Sequence, residues 1–396
     1  MRAPHVILRT TSAATRDPFL GALAAPQGME DSVAAGVSVE VDDIDTHTIP
    51  TLSGNTEVLA IAPVIPLKLI APVEVRDITQ PSADTITWGV KAVGADTSPF
   101  SGDGIVVAVL DTGIDASHPA FEGMDIVQKD FTGEGVGDEH GHGTHCAGTI
   151  FGRTTDGTRI GVAPGVKKAL ISKVLGAQGG SSGQIVRAIQ WAVDNGANVI
   201  SMSLGMDFPG FQAQLQAAGF PAELATSRAL EGYRTNVQLF ARLAALVVAQ
   251  EPFGQAAVTV AAAGNESQRE NDPNFEIAVS PPAVAEGVVS VAALGESAQG
   301  LTVAPFSNTG ANVSGPGVQI VSAKAGGGLT AMSGTSMATP HVAGVTALWA
   351  EKIKASSSLS ALQLTSRLIG SATTEGLQAG LDPFDIGAGL VRAPQG

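Results

Sequence analysis

The chain has 396 residues, 44% of them apolar and 15% charged, enough to bury a large core and too apolar for general disorder. Its 37 acidic and 22 basic residues give a net charge of −15, which argues against nucleic acid or anionic membrane as partner. That charge admits cations and neutral or basic peptides, while surplus surface acid also serves solubility. One cysteine, Cys146, excludes an intrachain disulfide framework.

Residues 1–27 contain no apolar run long enough for a signal peptide, since Val6-Ile7-Leu8 is too short. As it stands the sequence carries no export address and reads as cytoplasmic, or as secreted with a leader lying outside it. The longest uncharged stretch, 297–323, is broken by Pro, Gly, Ser and Asn and predicts no spanning helix. Residues 1–35 predict a poorly ordered or extended arm. Val37, Val39 and Val41 then alternate, and 58–67 reads as strand interrupted by prolines. Residues 71–84 form the expected linker, with cleavage inside it as one expectation.

Uninterrupted apolar runs at 105–110, 169–175, 197–203, 257–263 and 288–294 predict strands buried on both faces. Helical spacing is found at 143–151, 183–195, 337–354 and 359–369. This alternation predicts an α/β fold, a three-layer doubly wound sandwich with a mostly parallel central sheet, whose working residues gather at the strands' carboxyl ends. Between Met206 and Ala256 stands Phe208-Pro209-Gly210, then a helical segment at 221–250 with Leu224, Leu230, Val237, Leu239, Leu243 and Leu246 as its apolar positions.

Four short stretches carry chemistry. Asp111 ends the first buried strand in Val109-Leu110-Asp111-Thr112-Gly113, as a turn cap or an orienting carboxylate. His142 lies in His140-Gly141-His142-Gly143-Thr144-His145-Cys146-Ala147-Gly148. The spacing of His140, His142 and His145 is also similar to the His-x-His-x-Asp-His zinc motif of metallo-β-lactamase-like hydrolases, with Thr144 where that motif has Asp. Asn265 follows Ala262-Ala263-Gly264. Ser336, after Gly334-Thr335, opens a helix in whose first turn Pro340 is tolerated. A serine there is a cap, or a nucleophile for acyl transfer if a base and a carboxylate lie near.

Residues 334–344 (Gly-Thr-Ser-Met-Ala-Thr-Pro-His-Val-Ala-Gly), 142–148 (His-Gly-Thr-His-Cys-Ala-Gly), the aspartate stretch through Phe121 and Ala-Ala-Gly-Asn together resemble the motifs of the subtilisin-like serine proteases, the subtilases. The resemblance implies a serine endopeptidase in which Asp111 orients His142, His142 is the general base and Ser336 the nucleophile. Asn265 and the Ser336 N–H would hold the oxyanion. The segment Ser203-Leu204-Gly205 would pair with the substrate main chain. Ala262, Ala263 and Gly264 would wall the pocket for the residue whose carbonyl is attacked, over a floor at 280–283. Glu266 at its rim would favour a basic residue. It also implies a propeptide-like segment with its linker within residues 1–84, an ordinary N-terminal strand being the other reading of 58–67. The peptidase domain would be 85–396. The stretch 206–256 would be an atypical helical insert, walling the cleft or packed as a structural helix. The chemistry would need no cofactor, and structural calcium is allowed. Partners would be a peptide or protein substrate and the chain's own N-terminal segment as inhibitor. A transpeptidase or macrocyclase on the same scaffold is the alternative reading.

Overall fold

The structure, a computed structural model, describes residues 2–11, 36–73, 85–249, 251 and 255–396. Residues 12–35, within the expected arm, and 74–84, most of the expected linker, lie outside the described residues.

The first described segment departs from the arm reading, because β1 (Arg2–Thr11) is the central strand of a small sheet. It pairs antiparallel with β2 (Gly36–Asp45) and, beyond the short helix α1 (Ile49–Ser53), with β3 (Val58–Pro63). Val6 and Leu8, too few for a signal, are enough for a strand and are fully buried. The prolines act as expected: Pro63 closes β3, and Pro66 opens a separate strand, β4 (Pro66–Leu69).

After α2 (Trp88–Ala92) the chain alternates strands and helices: β5 (Val106–Asp111), β6 (Asp125–Asp130), α3 (His142–Phe151), β7 (Lys168–Lys173), the two-residue β8 (Gly180–Ser181) and α4 (Ser182–Asp194). Next come β9 (Val199–Met202), β10 (Leu204–Met206), α5 (Phe208–Ala217), α6 (Ala222–Ala249) and β11 (Val258–Ala262). The rest comprises β12 (Val288–Ser297), β13 (Gly300–Val303), β14 (Val313–Pro316), β15 (Ile320–Ala323), β16 (Leu329–Met332), α7 (Thr335–Lys354), α8 (Ala361–Gly370) and α9 (Pro383–Ile386).

Eight strands form the main sheet in the order β13-β12-β11-β9-β5-β7-β6, with β14 also on β12. Every pair is parallel except β12–β13. Strand β5 shows why such strands read as continuous apolar runs. Val107 and Val109 pack on one face with Ile150 of α3 and Val342 of α7, while Ala108 and Leu110 pack on the other with Ile185 of α4 and Leu243 of α6. Helices on both faces make the three-layer α/β sandwich.

Helix α5 extends the Phe208-Pro209-Gly210 stretch further than the sequence implied. Asp207 accepts the Gly210 N–H, and Pro209 sits where a helix needs no donor. In α6, Leu239 and Leu243 are buried as expected, whereas Leu224 and Leu230 are 44% and 55% exposed. No helix of the described residues is long and apolar enough to cross a membrane.

Candidate active site

The carboxyl ends of β5, β9 and β11 bring Asp111, Ser203 and Asn265 to one edge of the sheet. The N-terminal turns of α3 and α7, which pack on each other, bring His142 and Ser336 to the same edge. Asp111 Oδ1 lies 2.7 Å from His142 Nδ1, and both residues are fully buried. Burial opposes charge on the imidazole, but the adjoining Asp111 carboxylate prevails and raises His142 well above the ordinary histidine value.

Close backbone approach and one further carboxylate fix this pair. A Cβ at Gly143 would clash with the Gly113 carbonyl oxygen, and Gly113 itself has φ 111°, so both positions need glycine. Asp138, to which the sequence reading gave no role, caps α3 from outside the helix. Its Oδ2 accepts the Thr144 N–H and hydroxyl at 2.8 and 2.6 Å, and its Oδ1 accepts the Gly141 N–H at 2.8 Å. Oδ1 also accepts the Thr112 hydroxyl, which in turn accepts the Gly143 N–H at 2.9 Å. The end of β5 and the start of α3 are thereby bolted together. An aspartate ahead of an unsatisfied helix start was the signal available.

Helix α7 begins at Thr335, so Pro340 falls in its second turn, not its first as the sequence suggested. Proline has no N–H, and the helical bond it cannot make is the one to the Ser336 carbonyl. Two neighbours donate there instead, the Ser203 hydroxyl at 3.1 Å and the Cys146 thiol at 3.4 Å. Cys146 Sγ is also 3.8 Å from His142 Nδ1, so it touches both His142 and the Ser336 backbone. Burial pushes this thiol up, keeping it protonated and slow towards carbon electrophiles. A mercurial is expected to titrate one thiol per chain and abolish turnover, whereas Cys146→Ala should stay active and resistant; residual activity against bound mercury measures it.

The three histidines do not converge. His145 bonds the Ile320 carbonyl at 2.9 Å, and His142 is committed to Asp111. Among the described residues the one cluster of possible metal donors is Asp111, His142 and Cys146. A thiol and an imidazole do not suit calcium, which takes oxygen donors.

The cleft is filled by the chain itself. Strand β4 is hydrogen-bonded on both sides, antiparallel to β10 and to β8. Leu69 lies opposite Leu204, Lys68 opposite Gly205 and Leu67 opposite Met206. Ile70 follows, 2% exposed, with its carbonyl oxygen accepting the Ser336 hydroxyl at 2.8 Å. No hydrogen bond joins Ser336 to His142, whose buried Nε2 has no partner among the described residues. The Asn265 side-chain N–H donates to the next carbonyl, Ala71, at 3.0 Å, while its oxygen accepts the N–H and hydroxyl of Thr335. A Cβ at Gly205 would stand 3.5 Å from Ile70 Cδ1 and 3.1 Å from Ser280 Oγ, so the Ile70 and Ser280 side chains both lie beside Gly205. Ala262 ends β11, the Ala263 carbonyl accepts the Ser280 N–H, and the Gly264 N–H donates to Thr335 Oγ1. Glu266 lies close by, but its cationic partner is Lys68, not a residue at position 70.

Comparison with known proteins gives the family. The Subtilase family profile matches residues 102–389. Subtilisin DY of Bacillus licheniformis is 33% identical over 319 residues, covering 78% of this chain and 97% of that protein. Subtilisin Savinase of Lederbergia lenta is 33% identical over 320 residues, covering 78% and 98%. The crystal structure of fervidolysin from Fervidobacterium pennivorans, a keratinolytic enzyme related to subtilisin, superposes with a TM-score of 0.66 at 24% identity. That match takes in 99% of this chain and 60% of fervidolysin, so the chain spans less than two thirds of that protein's length. The chain therefore belongs to the subtilase family, the subtilisin-like serine endopeptidases.

Proposed function

We propose that Ser336, His142 and Asp111 form the catalytic triad, assisted by Asn265, and that the first peptide bond cut is Ile70–Ala71 of the same chain. The observation that carries this is the 2.8 Å contact between the Ser336 hydroxyl and the Ile70 carbonyl, at the end of a strand paired on both edges. Ser336 Oγ attacks the Ile70 carbonyl carbon as its proton passes to the unpartnered Nε2 of His142. Asp111, on Nδ1, holds the tautomer and stabilises the imidazolium that results. His142 then returns the proton to the Ala71 nitrogen as that amine departs, leaving Ile70 as an ester on Ser336. Water, activated by the same imidazole, releases the Ile70 carboxylate. Asn265 reaches the developing oxyanion by shifting its N–H from the Ala71 oxygen to the neighbouring Ile70 oxygen. No cofactor is required for this chemistry.

Until it is cut and leaves, the segment 66–71 acts as a tethered inhibitor, and residues 1–70 are a propeptide. Helix α6 supports that role, since Asn236 Nδ2 donates to the Pro63 carbonyl at 2.9 Å and Gly232 lies against Ile65. Intact-mass analysis and amino-terminal sequencing of the incubated full chain test the reading. The expected products are a species beginning at Ala71 and a fragment ending in a free carboxylate at Ile70. A first cut within 74–84 would overturn the register, and a rejoined or cyclised product would indicate ligation.

A further inference from the structure

Lys68 is the one charged residue of the docked segment 66–71, and two carboxylates meet it. Its Nζ lies 3.3 Å from Glu266 Oε1 and 3.6 Å from Asp207 Oδ1. Neither carboxylate depends on Lys68 for its position. Asp207 caps α5 by accepting the Gly210 N–H at 3.2 Å. Glu266 Oε2 accepts the Asn308 amide at 2.8 Å, and Asn308 Oδ1 accepts the N–H groups of Glu266 and Ser267. One oxygen of Glu266 is thereby left to face a cation from a fixed position, so little side-chain freedom is lost on binding. Lys68 stands opposite Gly205, two residues before Ile70, and in a strand those two side chains share a face.

From this geometry we propose that Glu266 and Asp207 form a cation-binding subsite that selects lysine or arginine two residues before the residue whose carbonyl Ser336 attacks. The inference rests on the register proposed above. It relocates the basic preference: the residue at the attacked carbonyl is aliphatic Ile70, and the positive charge belongs two places upstream. All three side chains keep between 32% and 40% of their surface in water (Lys68 40%, Asp207 32%, Glu266 34%), so the pairing tunes selection and does not command it.

The test uses the full chain after intact mass has shown it to have processed itself. It is given an equimolar mixture of two peptides spanning residues 63–73, one natural and one with norleucine, which keeps the four-carbon chain without the ammonium, in place of Lys68. The ratio of products cut after Ile70 gives the ratio of kcat/KM. We expect the lysine peptide to win by about three- to tenfold, less at high salt, as for partly solvated ion pairs. In Glu266→Gln, and further in Glu266→Gln/Asp207→Asn, that ratio should fall towards one. Glutamine retains an acceptor for Asn308, and asparagine retains the cap of α5. Equal consumption of the two peptides by the wild type, or a preference undiminished in the double variant, overturns the subsite and leaves the register standing. If the chain stays intact and neither peptide is cut after Ile70, the register is wrong and the subsite falls with it.

Discussion

Ser336→Ala is expected to leave the chain uncut at Ile70–Ala71, with turnover lowered by about 10⁶-fold, the size known for loss of the nucleophile in the related subtilisin. The reason is geometric: without the hydroxyl at 2.8 Å from the Ile70 oxygen, no other described side chain is placed to form the ester. His142→Ala should lose about as much, because an alcohol that cannot surrender its proton is a poor nucleophile, and the double variant should be no worse than either single one. Asp111→Asn should cost about 10⁴-fold, since an amide can donate to Nδ1 and so hold the imidazole in the wrong tautomer. The rate at which the Ala71 amino terminus appears, followed by mass, measures all four. Additive losses in the double variant, or cutting by Ser336→Ala at the wild-type rate, would require a different nucleophile.

The second large effect concerns acid. His145 and His341 are fully buried, and burial lowers them from the ordinary value to about 3 and about 4. Their folded values lie below their unfolded ones, so the unfolded chain takes up protons first as the pH falls. Stability is therefore whole above about pH 6.5 and drains away below it. Between pH 6.5 and 5 each histidine should cost about 2 kcal/mol, or about 4 kcal/mol together, a large share of the usual stability of a folded protein. His142 works the other way: its value is raised, so its contribution is full below about pH 6.5 and fades as the pH climbs through the folded value. The clean measurement is therefore a difference. Urea unfolding of Ser336→Ala, which cannot digest itself, is compared at pH 7.5 and 5 with that of Ser336→Ala/His341→Gln. The second protein should lose about 2 kcal/mol less across the interval. Equal losses would mean that His341 does not titrate on unfolding.

Five strands of the main sheet (β5, β7, β9, β11 and β12) were legible because they are buried on both faces, leaving runs such as 105–110 that admit little else. Strands β6 and β13 are only partly buried and left no such run. The candidate site was legible as a resemblance because the motifs around Asp111, His142, Asn265 and Ser336 run over whole stretches of sequence. What escaped depends on partners distant in the chain. Val6-Ile7-Leu8 became a central strand only because Val37–Val41 and Val58–Pro63 lie on either side of it. Asp138 gains its role from helix donors whose exact start the spacing left open. Pro340 looked compatible with a first turn until the helix proved to begin five residues before it. Glu266 was expected to favour a basic residue at the pocket rim; its cationic partner in the structure is Lys68, whose position opposite Gly205 is set by strand register, which no local pattern encodes.

Strand β4 lies in the middle of its three-stranded sheet, and that changes what scission accomplishes. Breaking Ile70–Ala71 removes none of the main-chain bonds to either edge, nor the bonds that Ile65 makes with Ser182 or Pro63 with Asn236. On the proposed cut, the severed piece would be a product that still blocks the way. Latency should outlast the chemistry, and the pace of awakening should be governed by how quickly residues 1–70 peel off or are themselves consumed.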